Sequence, residues 1–291
     1  MHRAIVLVAA VLLLAGCAAT PAVTLPPPPS PGPSPTDDTG RTFRYVALGD
    51  SYTIGYGLPR QADRWPNQLI RALRSSVPLR LVENLAAQSD STSEVIDNQL
   101  PVLEELAPVD LVTLTVGVSD VLTGVTEDEY RENLQVILDG RERSPGQRRV
   151  SGILDVVPAD RVVLITTPDY TKSPDQPYRR PGDSAMIARF NEIMKEEATV
   201  RGIAVVDISP IGDLVARDPT LVLDDGMRAS AKQYAGWVEL IAPVVQRLLI
   251  GGPGDATLPA VVPSAAASVA PSPGASSVLA PAPSAASSPA G

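Results

Sequence analysis

The sequence predicts an α/β domain with a mostly parallel sheet and helices packed on both of its faces. Between residues 42 and 250, short apolar runs alternate with stretches in which apolar residues recur at helical spacing. This alternation indicates βαβ units. The first run, Val46-Ala47-Leu48, is continuously apolar, as expected for a strand that is covered on both faces. Right-handed crossovers would then place helices above and below the sheet.

Five predicted strands alternate with five predicted helices along this segment. The strands are the run that ends at Ser51 and residues 79–85, 109–116, 161–166 and 203–208. The helices cover residues 65–73, 91–106, 126–137, 184–201 and 230–249. Ser91 with Glu94, and Thr126 with Glu129, have the spacing of capping boxes. Pro101 should kink or restart the second helix, and Gly202 is placed to end the fourth.

The first 17 residues have the pattern of an export signal. His2 and Arg3 precede an unbroken apolar run, which is too short for a membrane-spanning helix. Leu14-Ala15-Gly16-Cys17 resembles the lipobox of bacterial lipoproteins. That resemblance implies cleavage before Cys17, lipidation of Cys17 and attachment to the outer face of the cytoplasmic membrane. The alternative is an ordinary secretory signal with an incidental cysteine.

Two segments that flank the domain have compositions that do not favour a packed core. Residues 18–41 form a proline-rich linker, which we expect to be extended and semi-rigid. Residues 251–291 are rich in Ala, Pro and Ser, and we expect them to be disordered. The predicted organisation is therefore a signal (1–17), a linker (18–41), one folded domain (42–250) and a tail (251–291).

The composition excludes several classes of function. The net charge of −9 argues against a nucleic-acid partner, which needs a basic face. A single cysteine rules out an intramolecular disulfide. The sequence has no metal-ligand cluster and no glycine-rich phosphate loop, so we expect no cofactor. The only histidine is His2, within the segment that export would remove.

Ser51 is the candidate nucleophile. Gly49 permits a sharp turn at the end of the first strand, and ligands of open α/β sheets bind at the carboxyl ends of the strands. A serine hydroxyl on such a turn can attack an ester. On the tripeptide Gly49-Asp50-Ser51 alone, a turn in which the serine caps a helix is an equal alternative.

The residues that follow favour the nucleophile. Gly49-Asp50-Ser51-Tyr52-Thr53-Ile54-Gly55 resembles the first block of the SGNH (GDSL) ester hydrolases, and three further blocks follow in order along the domain. The resemblance implies a three-layer α/β/α fold with a five-stranded, flavodoxin-like sheet. It also implies hydrolysis of acyl esters in lipids, carbohydrates or small molecules, with Ser51 as nucleophile.

Two oxyanion positions depart from the family pattern. The block that ends at Ser89 has Ser where the family has Gly, although the backbone N–H remains. The block Val116-Gly117-Val118-Ser119-Asp120 has Ser119 in place of the Asn whose amide donates to the oxyanion. A hydroxyl is shorter than an amide side chain. The resemblance thus assigns Ser89, Gly117 and Ser119 to the oxyanion hole, with a weakened Ser119.

The largest departure lies in the last block. This block resembles the family pattern Asp-Gly-x-His-Pro-Ser and reads Asp225-Gly226-Met227-Arg228-Ala229-Ser230. Arg228 stands at the position of the catalytic histidine. Arginine keeps its proton at any ordinary pH and cannot act as a general base. Asp225 would still occupy the position of the acid.

Three interpretations of this site remain open. The first is an exported lipoprotein whose SGNH domain has weak or lost activity. The second is a ligand-binding or scaffold module of the cell envelope, in which Arg228 pairs with Asp225 or holds a carboxylate, phosphate or sugar. The third is a working esterase with Lys232 as base, on the expectation that Lys232 shares a helix face with Arg228. Arg228 as a mere tolerated surface charge is the alternative to a binding role.

Overall fold

The computed structural model describes residues 41–142, 149–174 and 176–251. The predicted export signal with His2 and Cys17, residues 18–40 of the linker and residues 252–291 of the tail lie outside the described residues.

The centre of the domain is a five-stranded parallel sheet. Its strands are β1 (Phe43–Gly49), β2 (Leu79–Asn84), β3 (Leu111–Thr115), β4 (Val162–Ile165) and β5 (Ala204–Val206). They lie in the order β2-β1-β3-β4-β5, and every neighbouring pair is parallel. This is the flavodoxin-like order, so the predicted sheet is confirmed. The order of the strands reverses between β1 and β3, and such a switch point is where open α/β sheets bind ligands.

Ten α-helical segments occur in the described residues. They are α1 (Ser51–Ile54), α2 (Trp65–Leu73), α3 (Thr92–Glu94), α4 (Leu100–Glu105), α5 (Val118–Thr123), α6 (Glu127–Asp139), α7 (Ile153–Val156), α8 (Asp183–Arg201), α9 (Ser209–Gly212) and α10 (Ala231–Ile250). A π-helical segment, Val95–Gln99, joins α3 to α4. None of the helices in the described residues is both long and apolar enough to cross a membrane.

The helices pack in two groups, as the right-handed crossover rule requires. Helix α2 packs on α10, and α6 packs on α8. The core between the layers includes Trp65, Tyr45, Tyr130, Phe190 and Trp237, all fully buried. Since both faces of the sheet are covered, the central strands β3 and β4 are buried along their whole length. The edge strand β2 instead carries the exposed residues Arg80 and Glu83.

Capping chemistry sets the start of several helices. Ser91 and Glu94 form the predicted capping box at α3, and the Thr126 side chain accepts a hydrogen bond from the Glu129 N–H at α6. Gly202 ends α8 in a left-handed conformation. Pro101 lies in the first turn of α4, directly after the π-helical segment. Proline therefore begins a helix here, where the missing N–H has no cost.

Candidate active site

Ser51 lies at the first position of a short helix at the carboxyl edge of the sheet. Strand β1 ends at Gly49, whose φ is +142°. A Cβ there would lie 2.2 Å from the carbonyl oxygen of Thr115 on β3, so only glycine fits this turn. The Asp50 side chain then caps α1 by accepting a hydrogen bond from the Tyr52 N–H at 2.9 Å. The Ser51 side chain is left half-buried, and its hydroxyl has no hydrogen bond to the residues described.

Gln99 fixes the turn that presents Ser51. Its side-chain oxygen accepts a hydrogen bond from the Gly49 N–H at 2.9 Å, and its Nε2 donates to the Gly49 carbonyl at 2.7 Å. Nε2 also donates to Asp90 Oδ2 at 2.7 Å. Gln99 thereby ties the end of β1 to the loop after β2, which carries Ser89. It belongs to the π-helical segment, a type of distortion that is frequent at functional sites.

The predicted oxyanion residues leave the sheet at the same edge as Ser51. Gly49 pairs with Thr115 in the β1–β3 ladder, so Ser51 and Gly117 each follow their strand by the same two residues. Gly117 has φ +138° and precedes α5, and a Cβ there would lie 2.6 Å from Thr167 Oγ1. Ser119 lies in the first turn of α5 and is buried. Its hydroxyl has no hydrogen bond within the described part of the chain.

Ser89 has a backbone conformation that is typical of glycine. Its φ is +66°, the left-handed region, and no other non-glycine residue among those described has a positive φ. A serine there is strained, because its Cβ approaches the backbone. The loop after β2 therefore has, at Ser89, a conformation that glycine would adopt without this strain.

A tight turn holds Asp225 and Arg228 together as an ion pair. The Leu223 N–H donates to the Arg228 carbonyl at 2.8 Å, which closes the turn. Asp225 Oδ1 accepts hydrogen bonds from the Met227 and Arg228 N–H groups at 2.8 and 2.9 Å. Its Oδ2 accepts from Arg228 Nη1 at 2.6 Å. Partial burial raises the pKa of Asp225, but these backbone and guanidinium donors outweigh it and hold the pKa below its usual value.

This turn is fastened to the helix that carries Ser51. The Tyr52 hydroxyl donates to the Met227 carbonyl at 2.7 Å. The Arg228 guanidinium lies over the Tyr56 ring, with Cζ 4.5 Å from the ring centroid, in a cation–π contact. The Tyr56 N–H in turn donates to the Ser51 carbonyl at 3.0 Å. Arg228 is thus held next to α1, the helix that begins at Ser51.

The Lys232 side chain forms its hydrogen bonds with residues outside the turn of Asp225 and Arg228. Its ammonium donates to Asp218 Oδ2 at 2.6 Å and to Thr220 Oγ1 at 2.9 Å, and its side chain is 60% exposed. The expectation that Lys232 shares a helix face with Arg228 is wrong. Helix α10 begins at Ala231, with Ser230 as its cap, so Arg228 lies outside the helix. No hydrogen bond joins Lys232 to Ser51 within the described residues.

A buried acid next to Ser51 was not predicted from the sequence. Asp50 is fully buried, and its Oδ2 has no hydrogen-bond partner among the residues described. Burial, together with the neighbouring charges of Asp120 and Asp90, raises its pKa to about 7. Asp50 looked like a turn residue in the sequence, because nothing local distinguishes a buried Asp from an exposed one.

The described residues contain no group of three or more His, Cys, Asp or Glu side chains that could hold a metal ion. The site residues themselves supply side-chain groups and backbone N–H donors. Ser51 supplies a hydroxyl, the loops after β2 and β3 supply donors, and Arg228 supplies a positive charge.

Comparison with known proteins identifies the domain. A model of the GDSL-like lipase/acylhydrolase family matches residues 47–237. The chain belongs to this family. A sequence search of curated proteins gave no significant match.

Solved structures with the same fold cover most of the domain. A lipolytic G-D-S-L family protein from Veillonella parvula superposes with a TM-score of 0.54 at 15% identity, covering 71% of this chain and 100% of that one. An acetyl-xylooligosaccharide esterase from Geobacillus gives 0.53 at 15% identity, with 70% and 94% covered. The esterase EstA from Pseudoalteromonas gives 0.51 at 16% identity, with 71% and 98% covered.

Proposed function

We propose that this GDSL-family protein is an exported lipoprotein whose hydrolase domain keeps a site for an acyl ester or a similar small ligand but turns it over very slowly or not at all. The observation that carries this proposal is the ion pair between Asp225 and Arg228 beside the helix of Ser51. By the sequence resemblance, these two residues stand where the family has a carboxylate and a histidine.

The chemical argument concerns the proton of Ser51. Attack on an ester carbonyl requires a base that removes the hydroxyl proton. Arg228 has no lone pair to receive it, and the lowered pKa of Asp225 makes that carboxylate a weak base. Loss of a triad member leaves roughly 10³–10⁴-fold catalysis over water. A missing oxyanion donor, as expected with Ser119, costs about another 10²–10³.

A non-catalytic binding module is the second candidate function, and a specific feature of Arg228 favours it. Only Nη1 of this guanidinium has a hydrogen-bond partner among the residues described. The remaining N–H groups can donate to a carboxylate, a phosphate, a sugar oxygen or an ester carbonyl. The esterases among the similar structures, one of them named for acetylated xylooligosaccharides, support an acyl ester or an acylated carbohydrate as the ligand.

Catalysis with Lys232 as base receives no support from the geometry. The ammonium is exposed and hydrogen-bonded to Asp218 and Thr220. An activated lysine needs a desolvated environment or a neighbouring cation, whereas Lys232 is exposed and paired with the carboxylate of Asp218.

The proposed location rests on the sequence Leu14-Ala15-Gly16-Cys17. We infer export, lipidation of Cys17 and attachment to the outer face of the cytoplasmic membrane through the proline-rich linker. Wild type should partition into the membrane fraction of the cells that produce it, whereas Cys17→Ser should not. Equal partitioning of the two proteins would sink the lipidation proposal.

The catalytic part of the proposal is tested by the hydrolysis of p-nitrophenyl acetate by the full chain in detergent. Wild type and Ser51→Ala should hydrolyse the ester at the same low rate, because no base activates Ser51. If wild type is consistently faster than Ser51→Ala, Ser51 is a working nucleophile and the proposal is wrong.

A further inference from the structure

A separate cavity of about 230 Å³ lies beyond β4 and β5. Its walls come from the loop after β4, from α8, from the residues after β5 and from α10. The residues that line this cavity do not include Ser51, Ser89, Ser119 or Arg228. The cavity lies at the same edge of the sheet as Ser51. It is next to β4 and β5, whereas β2 is at the other end of the strand order.

Two residues that line the cavity carry buried polar atoms without a partner. Gln233 and Trp237 are 5% and 0% exposed. Neither Gln233 Oε1 nor Trp237 Nε1 has a hydrogen bond within the part of the chain that the structure describes. The two residues are four positions apart on α10, so they are neighbours on one helix face. A buried polar atom without a hydrogen bond destabilises the folded chain, and a ligand group that reaches it would supply the missing bond.

The pairing of these two atoms selects the type of ligand group. The indole N–H of Trp237 can only donate, and the Oε1 of Gln233 can only accept. A hydroxyl both donates and accepts, so the hydroxyls of one ligand can serve both atoms. A carboxylate cannot donate to the Oε1 of Gln233, and an ammonium cannot accept from the indole N–H of Trp237.

The rim of the cavity also favours a neutral, hydroxyl-rich ligand. Lys172 Nζ lies 3.0 Å from Asp213 Oδ1 and 4.0 Å from Asp169 Oδ2. One cation against two carboxylates leaves a net negative rim, which repels anions. Asp213 is largely exposed, and carboxylate oxygens are strong acceptors for ligand hydroxyls.

We propose that this cavity binds a neutral polyhydroxylated ligand of the size of one sugar ring. The apolar side chains of Ile187 and Ile208 complete its lining and suit the C–H surface of such a ring. The volume is below the roughly 300–1,000 Å³ of sites for drug-sized molecules, which limits the ligand to about one ring. This binding does not depend on catalysis at Ser51.

The test is titration of the full chain with D-glucose, D-galactose and N-acetyl-D-glucosamine, followed by ligand-observed NMR and calorimetry. At least one sugar should bind in the millimolar range. Gln233→Met keeps the length of the side chain and removes the acceptor, so it should weaken that binding about tenfold. Because Gln233 Oε1 has no partner, this variant should melt no lower than wild type. Asp213→Ala at the exposed rim should also weaken binding.

Two control variants distinguish this cavity from the Ser51 site and from a general effect of replacing a glutamine. Gln135→Met makes the same change on α6, where Gln135 bonds Glu197, and should bind the sugar as wild type does. Ser51→Ala should bind it equally well. Absence of binding by all three sugars, tighter binding of sodium butyrate, or loss of binding in Ser51→Ala would each overturn the proposal. So would wild-type affinity in both Gln233→Met and Asp213→Ala.

Discussion

Asp50 and Ser51 are adjacent in the chain but have opposite environments. Asp50 is fully buried and has an unpartnered Oδ2, whereas the Ser51 hydroxyl is half-buried at the sheet edge. The carboxyl of Asp50 caps the start of α1, and the Ser51 side chain lies at the carboxyl edge of the sheet. Burial of the Asp50 carboxyl lowers the stability of the folded chain when this group is charged, because burial disfavours the charged form.

This burial predicts a pH dependence of stability. The pKa of Asp50 is about 7 in the folded chain, against about 3.9 in an unfolded one. Between these values the folded state holds a proton that the unfolded state has lost. The free energy of unfolding should therefore fall as pH rises from about 4 to 7 and become constant above that range. The contribution is at most about 4 kcal/mol.

Asp50→Asn should remove this pH dependence, because the amide resembles the neutral acid and keeps the oxygen that caps α1. We expect wild type and variant to be equally stable near pH 4 and the variant to be more stable at pH 8, as measured by urea unfolding across pH. The same change at the exposed Asp97 is the control. A wild-type advantage at pH 8 would contradict a raised pKa.

At the scale of elements, helices with clear caps or long periodic faces were predictable and very short ones were not. Helix α2 has the predicted bounds, 65–73, and Ser230 caps α10. Helices α1, α5, α7 and α9 have four to six residues each, too few to repeat a helical period. The π-helical segment escaped prediction because its wider turn breaks the 3.6-residue period.

The loop between β2 and α3 carries a local strain that can be tested. Ser89 has φ +66°, which costs a non-glycine residue about 1–2 kcal/mol. Glycine avoids this cost, but it loses more chain entropy on folding, which offsets about 0.5–1 kcal/mol of the gain. Ser89→Gly should therefore stabilise the domain by up to about 1 kcal/mol, or roughly 2–4 °C in Tm.

The matched change is Ser93→Gly in α3, where glycine weakens a helix by about 1 kcal/mol relative to the best helix formers. Thermal unfolding should move in opposite directions for these two variants. A lower Tm for Ser89→Gly would mean that the left-handed conformation of Ser89 is not strained.

At the scale of the whole molecule, the sheet order and the position of Ser51 were predictable, while the contacts that complete the site were not. The order came from a family resemblance together with the alternation of strands and helices. Gln99 and Gly49, which are joined by hydrogen bonds, lie 50 positions apart in the chain. Arg228 and Tyr56, which form the cation–π contact, lie 172 positions apart. No local pattern encodes such pairs. Arg228 stands where the family resemblance predicts a histidine, and this was visible in the sequence, but its ion pair and its cation–π contact needed the fold.

The central claim is that the domain retains an ester-hydrolase frame from which the base has been removed. The most direct measurement is hydrolysis of p-nitrophenyl acetate by Arg228→His, with Arg228→His/Ser51→Ala as its control. A positioned general base contributes about 10²–10⁴-fold, so Arg228→His should exceed wild type by a measurable part of this factor, and the double variant should return to the wild-type rate. No gain in Arg228→His, or a gain that survives the loss of Ser51, would contradict the account.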